Sequence, residues 1–201
     1  MIVLLLLICS ALLATAQQPS ALTGSPEDAK KPVIIRTFAV EGTRLPARSV
    51  IRLTELKSGV TVTFADVFKA MQKVTSTGLI DNIDFEYESW PDKVDEVMLR
   101  LKCRDTKPII PATVKIAGVE EDKVWKWLQQ IDPLFTPELP PVERAIRFYE
   151  AWLTKYMEAN GQPEFREKYA IGNETLFKNN APERVVFSVI TLKSIGKSKK
   201  R

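Results

Sequence analysis

Most enzymes working near neutrality lean on a histidine, and this 201-residue sequence contains none. Its absence removes the Ser-His-Asp arrangement, the usual general base and the commonest zinc ligand together. Two cysteines are present. Cys9 falls in an N-terminal apolar run, and Cys103 lies on the apolar side of an alternating segment with no base set beside it. A thiol so placed is an inert core group rather than a nucleophile. The carboxylate pairs Asp81 with Asp84, and Glu86 with Glu88, are close enough to divide acid and base roles. The alternation of Asp84, Glu86 and Glu88 with Ile83, Phe85 and Tyr87 points instead to the solvated face of a strand. No P-loop, calcium loop or glycine-rich dinucleotide fingerprint occurs. The residues therefore describe a non-enzymatic chain with no cofactor, no metal and no small-molecule substrate.

Charge excludes a further class. The net charge is +4, and four of the 29 bases sit in Lys197, Lys199, Lys200 and Arg201, which leaves 25 bases against 25 acids elsewhere. A balanced body with a short basic tail is not the footprint of a nucleic-acid binder, although such a tail can touch anionic lipid, so peripheral membrane association stays open. Residues 1–16 hold the run Ile2–Ile8 followed by Ala14-Thr15-Ala16, the pattern of a cleaved signal peptide, and the apolar stretch is too short to span a bilayer. Ile8 stands where a lipid-anchoring signal at Cys9 would need a small residue. Export would leave Cys103 as the only mature cysteine, so an internal disulfide is excluded.

These side chains must be carried by regular elements, and the pattern supplies them twice. Residues 17–32 read as a flexible lead-in. A first unit, 33–105, opens with a strand from Val33 to Val40 ended at Gly42, then a helix from Pro46 to Leu56 with Gly59 beyond it. Thr63 caps a second helix that carries Phe64, Val67, Phe68, Met71 and Val74 on one face. A hairpin follows, with Phe85 set opposite Leu99 and a turn at Trp90-Pro91-Asp92-Lys93. Residues 106–112, with Pro108 and Pro111, form a stiff linker. The second unit, 113–193, repeats the order: a strand from Thr113 to Ala117, a helix bearing Val124, Trp127, Leu128 and Ile131, and a longer helix after Pro140-Pro141. Its hairpin arms are placed at Glu167–Ile171 and Arg184–Leu192, joined by a long loop, and 194–201 is the basic tail. The fold class is α+β, two tandem βααββ units, each a three-stranded mixed sheet covered by two helices. Trp125 falls off the apolar stripe of its helix and is a candidate exposed anchor.

This order, with particular residues, resembles the polypeptide-transport-associated (POTRA) domain of outer-membrane insertases and two-partner secretion transporters. Phe38-Ala39-Val40-Glu41-Gly42-Thr43 is similar to that family's strand-one ending, Leu56-Lys57-Ser58-Gly59 to its inter-helix glycine, and Thr77-Gly78-Leu79-Ile80 to its helix-to-strand junction. In the second unit Val114–Gly118 and Tyr156–Gly161 are similar to family positions, while Gln162 replaces a usual aromatic and no glycine separates the helices. The resemblance implies a periplasmic module, two copies without a following barrel, that docks an outer-membrane β-barrel protein or an unfolded client polypeptide.

A three-stranded sheet with helices on one side leaves an outer strand whose backbone can accept another chain. The predicted edges are Ile83, Asp84, Phe85, Glu86, Tyr87 and Glu88 in the first unit and Glu167, Lys168, Tyr169, Ala170 and Ile171 in the second. The alternative is an envelope scaffold joined through helical faces and Trp125.

Overall fold

A computed structural model describes residues 31–90 and 93–192. The signal, most of the lead-in, the turn residues Pro91 and Asp92, and the basic tail lie outside the described residues. In chain order the first unit comprises β1 (Val33–Glu41), α1 (Ala47–Thr54), β2 (Thr61–Val62), α2 (Phe64–Ser76), β3 (Ile80–Trp90) and β4 (Lys93–Asp105). The second comprises β5 (Ile110–Lys115), α3 (Glu121–Ile131), β6 (Glu138–Leu139), α4 (Glu143–Ala159), α5 (Phe165–Lys168), β7 (Tyr169–Lys178) and β8 (Ala181–Thr191). The two tandem α+β units read from the sequence are present, with strand orders β2-β1-β4-β3 and β6-β5-β8-β7.

Each sheet therefore has four strands rather than three. The additions, β2 and β6, are two residues long and pair antiparallel with the opening strand of their unit. Two residues are too few for alternation to register, but Val62 and Leu139 are buried and close the core beneath the helix connection. They also cover one flank of each sheet, so only β3 and β7 remain as full-length outer strands. The central pair in each unit is parallel, β1 with β4 and β5 with β8, and the outer pair is antiparallel.

Local chemistry explains the helix boundaries. Thr63 Oγ1 accepts from the Asp66 N–H at 3.3 Å, and the Thr63 N–H donates to Asp66 Oδ2 at 2.9 Å, a reciprocal capping box. That backbone donor, with the Thr63 hydroxyl, holds the Asp66 carboxyl below the usual carboxylate range. Val67, Ala70, Met71 and Val74 face the core. Gly42 follows β1 at φ +76°, and a Cβ there would stand 2.3 Å from the Cys103 carbonyl oxygen, so only glycine fits.

Four sequence expectations about elements change. The strand expected from Thr113 to Ala117 is β5, Ile110–Lys115, so residues 110–112 of the expected linker are paired strand. The β3–β4 register puts Phe85 opposite Leu101, Ile83 opposite Cys103 and Tyr87 opposite Leu99, two residues from the expected pairing. An irregularity between Ser89 and Trp90 beside the turn takes up the extra β4 residues, and an even shift keeps every side chain on its expected face. In the second unit Glu167 and Lys168 belong to α5, and the strand begins at Tyr169. The expected long loop is instead a continuous hairpin running to Asn179 and Asn180, whose φ values of 51° and 63° are those of a tight turn that Asn tolerates.

The two units share one hydrophobic core. Between them, Ser49 on α1 donates to Asp132 Oδ1 at the C-cap of α3, and Asp132 is only 4% exposed. The same oxygen accepts from the Leu134 N–H at 3.0 Å, while Arg52 Nη1 lies 3.0 Å from Asp132 Oδ2 and donates to the Ile131 carbonyl at 2.6 Å. On the α2 side, Arg144 donates to the Thr75 carbonyl at 3.3 Å. A Cβ on Gly78 would meet Ala145 N at 2.5 Å.

Candidate polypeptide-docking edge

Among the described residues β3 is hydrogen-bonded only to β4, so its other side offers unpaired backbone groups along Ile80–Trp90. The two faces of this edge differ chemically. On the solvent face stand Asp84, Glu86 and Glu88. Lys102 Nζ pairs with Glu86, Arg100 bridges Glu88 at 2.5 Å and Glu41, and Arg104 Nη2 reaches Asp81 at 2.8 Å. The hydrogen bonds to Glu88 and then Glu41 raise the Arg100 pKa further. Every cation in this ladder belongs to β4, so the outermost column is acidic throughout. Asp84 accepts only from Asn82 Nδ2, at 3.1 Å, among the described residues.

On the helix face Ile83 is buried, and Phe85 and Tyr87 are half-buried. The Phe64 ring packs on Phe85 with centroids 5.1 Å apart, and Phe85 meets Tyr87 edge-on at 5.5 Å. Phe64 itself is 39% exposed and Phe68, one turn along α2, is 51% exposed. Helical spacing places both in the core; in the structure the buried stripe runs through Val67, Ala70, Met71 and Val74, both phenylalanines are exposed, and Phe64 forms with Phe85 an apolar wall beside β3. Burial, with the Asp66 charge adding to it, pushes the Tyr87 phenol up to about 12, and its hydroxyl is buried without a hydrogen-bond partner among the described residues.

The equivalent edge in the second unit is β7, where Tyr169, Ala170 and Ile171 of the predicted stretch lie; Glu167 and Lys168 turn away in α5, the latter paired with Glu164 at 2.8 Å. A groove of about 770 Å³ separates β7 from α4. Glu143, Glu150 and Glu174 make it polar, and Asn173 Nδ2 on β7 donates across it to Glu150 Oε1 at 2.8 Å. This groove is spanned by the chain's own side chains, whereas the aromatic wall beside β3 stands open.

Trp125 is not an exposed anchor. It is 6% exposed, its Nε1 donates to Glu121 Oε1 at 3.1 Å, and its ring meets Tyr149 edge-on at 6.2 Å. The position off the apolar stripe is buried because Tyr149 and the Glu121 carboxylate together meet both the ring and its N–H. The scaffold alternative thereby loses Trp125 and keeps only its helical faces. Sequence reasoning also missed Leu176 and Phe177 near the β7–β8 turn, the latter 65% exposed.

The catalytic candidates are engaged structurally. Asp81, Glu86 and Glu88 are ion-paired as above, and burial, with Asp105 adding to it, pushes the Cys103 thiol up to about 11. Among the described residues no group of three His, Cys, Asp or Glu side chains is placed to hold a metal, and no helix is long and apolar enough to cross a membrane.

No protein-family model matches the sequence, and no curated protein matches it. Among the solved structures to which it is similar are POTRA segments, the family resembled by the sequence. POTRA1-3 of the periplasmic domain of Omp85 from Anabaena is 12% identical with a TM-score of 0.38, the match covering 80% of this chain and 62% of that one. The N-terminal domain of Omp85 from Thermosynechococcus elongatus is 17% identical with a TM-score of 0.38, covering 80% and 63%. POTRA3-5 of Haemophilus influenzae BamA is 10% identical with a TM-score of 0.36, covering 82% and 67%. The chain thus spans less than two thirds of the first of these.

Proposed function

We propose that the protein is a polypeptide-docking module that adds an extended segment of a client or partner to the outer side of β3. The observation that carries this reading is the juxtaposition at β3 of an open backbone edge and a partly exposed aromatic wall, Phe64 of α2 packed on Phe85. Backbone pairing supplies affinity for any extended chain, and the wall selects segments with apolar side chains at alternate positions. β7 is the second such edge, its stretch Tyr169–Ile171 open on one side but its groove bridged by Asn173 and Glu150. The setting we propose is the periplasm, in assembly or transport of outer-membrane proteins; what supports it is the apolar leader at residues 1–16 and the resemblance carried by Phe38–Thr43, Leu56–Gly59 and Thr77–Ile80.

Strand addition has a signature that surface stickiness lacks. A fluorescent heptapeptide with Phe or Leu at odd positions and Thr at even ones is the probe. N-methylation of alternate amides along one edge of the peptide abolishes binding, and methylation along the other edge leaves it within about threefold, because only one edge faces β3. Equal loss from both methylation patterns, or no binding of the unmethylated probe, overturns the proposal.

A further inference from the structure

We infer that the segment accepted by β3 is amphipathic in one particular sense, apolar side chains toward the helices alternating with Lys or Arg toward the solvent face. This rests on the strand-addition reading above and specifies its ligand class. A strand laid against β3 has as its nearest solvent-face neighbours Asp84, Glu86 and Glu88, three carboxylates at alternate positions of one strand. The bases that answer them, Lys102 and Arg100, stand on β4, on the far side of β3 from the newcomer. Arg100 is shared between Glu88 and Glu41, and Asp84 is met by no cation among the described residues. The exposed border of the sheet is therefore acidic although the sheet's face is laced with ion pairs. Opposite charges directly across antiparallel strands stabilise the pair and like charges oppose it, so Lys or Arg is favoured at the alternate positions and Asp or Glu rejected. On the other face the newcomer's remaining side chains come beside Phe85 and the Phe64 ring packed on it, an apolar surface that favours apolar side chains over charged ones. The same carboxylates that guard the edge against indiscriminate pairing thus act as a charge filter.

The test uses the heptapeptide probe with Thr at positions 2, 4 and 6 replaced throughout by Lys or by Glu, and a composition-matched scramble of the Lys form in which alternation is lost. The Lys form binds the full chain about tenfold tighter than the Glu form at low salt, the gap narrows severalfold at 0.5 M salt, and the scramble binds less well than the ordered Lys form. In Asp84→Lys the Lys-to-Glu affinity ratio falls toward one or inverts. If the Thr probe binds but the Lys and Glu forms are within twofold, or the Glu form is tighter, the charge inference fails while strand addition stands. If the scramble equals the ordered Lys form, diffuse charge attraction explains the preference and the inference fails as well. If none of the probes binds, it is the strand-addition reading itself that is lost.

Discussion

Burial raises the Cys103 thiol from about 9 to about 11, so forming the thiolate is harder in the folded chain than in the unfolded one. A folded-state pKa above the unfolded value means that the contribution is fully present below pH 9 and is lost as pH rises toward 11. The Tyr149 phenol, pushed up to about 12 mainly by burial, extends the decline above pH 10. Denaturant melts between pH 8 and 11 are expected to show stability falling, and Cys103→Ala, whatever its offset, to make that fall shallower by about 2 kcal/mol. An unchanged slope would mean the thiol is already free to ionise. At Thr63 the expected loss on Thr63→Ala is about 1 kcal/mol, from removing the capping hydroxyl, with Thr63→Ser recovering most of it. Both roles were legible in the sequence, Cys103 from alternation and Thr63 from its place before an apolar periodic run. The burial of Trp125 was not, because the ring contact with Tyr149 depends on another helix 24 residues away in sequence.

Elements with long alternation, β3 and β4 above all, could be read directly, including which side chains share a face. Their register could not, since the residues that shift it lie in an irregularity beside the turn. Nor could β2 and β6, whose two residues carry no period. α2 is the instructive case: Phe64 and Phe68 follow the spacing of a core stripe, but the stripe of a helix on a sheet has a margin, and whether margin residues are covered depends on what lies past the sheet's last strand. Past β3 there is nothing within the described chain. Replacing Phe64 with alanine is therefore expected to lower affinity for the apolar probe at least tenfold, at a stability cost of about 1 to 2 kcal/mol for the packing on Phe85 that is lost. Loss of stability with unchanged probe affinity would return the ring to the core.

At the scale of the whole molecule, two units in tandem were readable from the repeated order of elements, but not the joint between them. Ser49 and Asp132 are 83 residues apart and neither belongs to a periodic pattern. Their hydrogen bond, the Arg52 contact and the close approach at Gly78 join one unit to the other. Asp132→Ala strands a buried Ser49 hydroxyl and frees Arg52, and is expected to cost about 3 kcal/mol and to split a single thermal transition in two. A single unshifted transition would show that the units do not depend on this contact.

The claim on which everything turns is that β3 gains a neighbour when polypeptide binds, and amide hydrogen exchange of the full chain with and without the heptapeptide probe measures this directly. Protection is predicted at alternate amides between Ile83 and Glu88, those facing away from β4, with the amides of β4 unchanged. Protection confined to the helices, or none in β3 at saturating probe, would contradict the account.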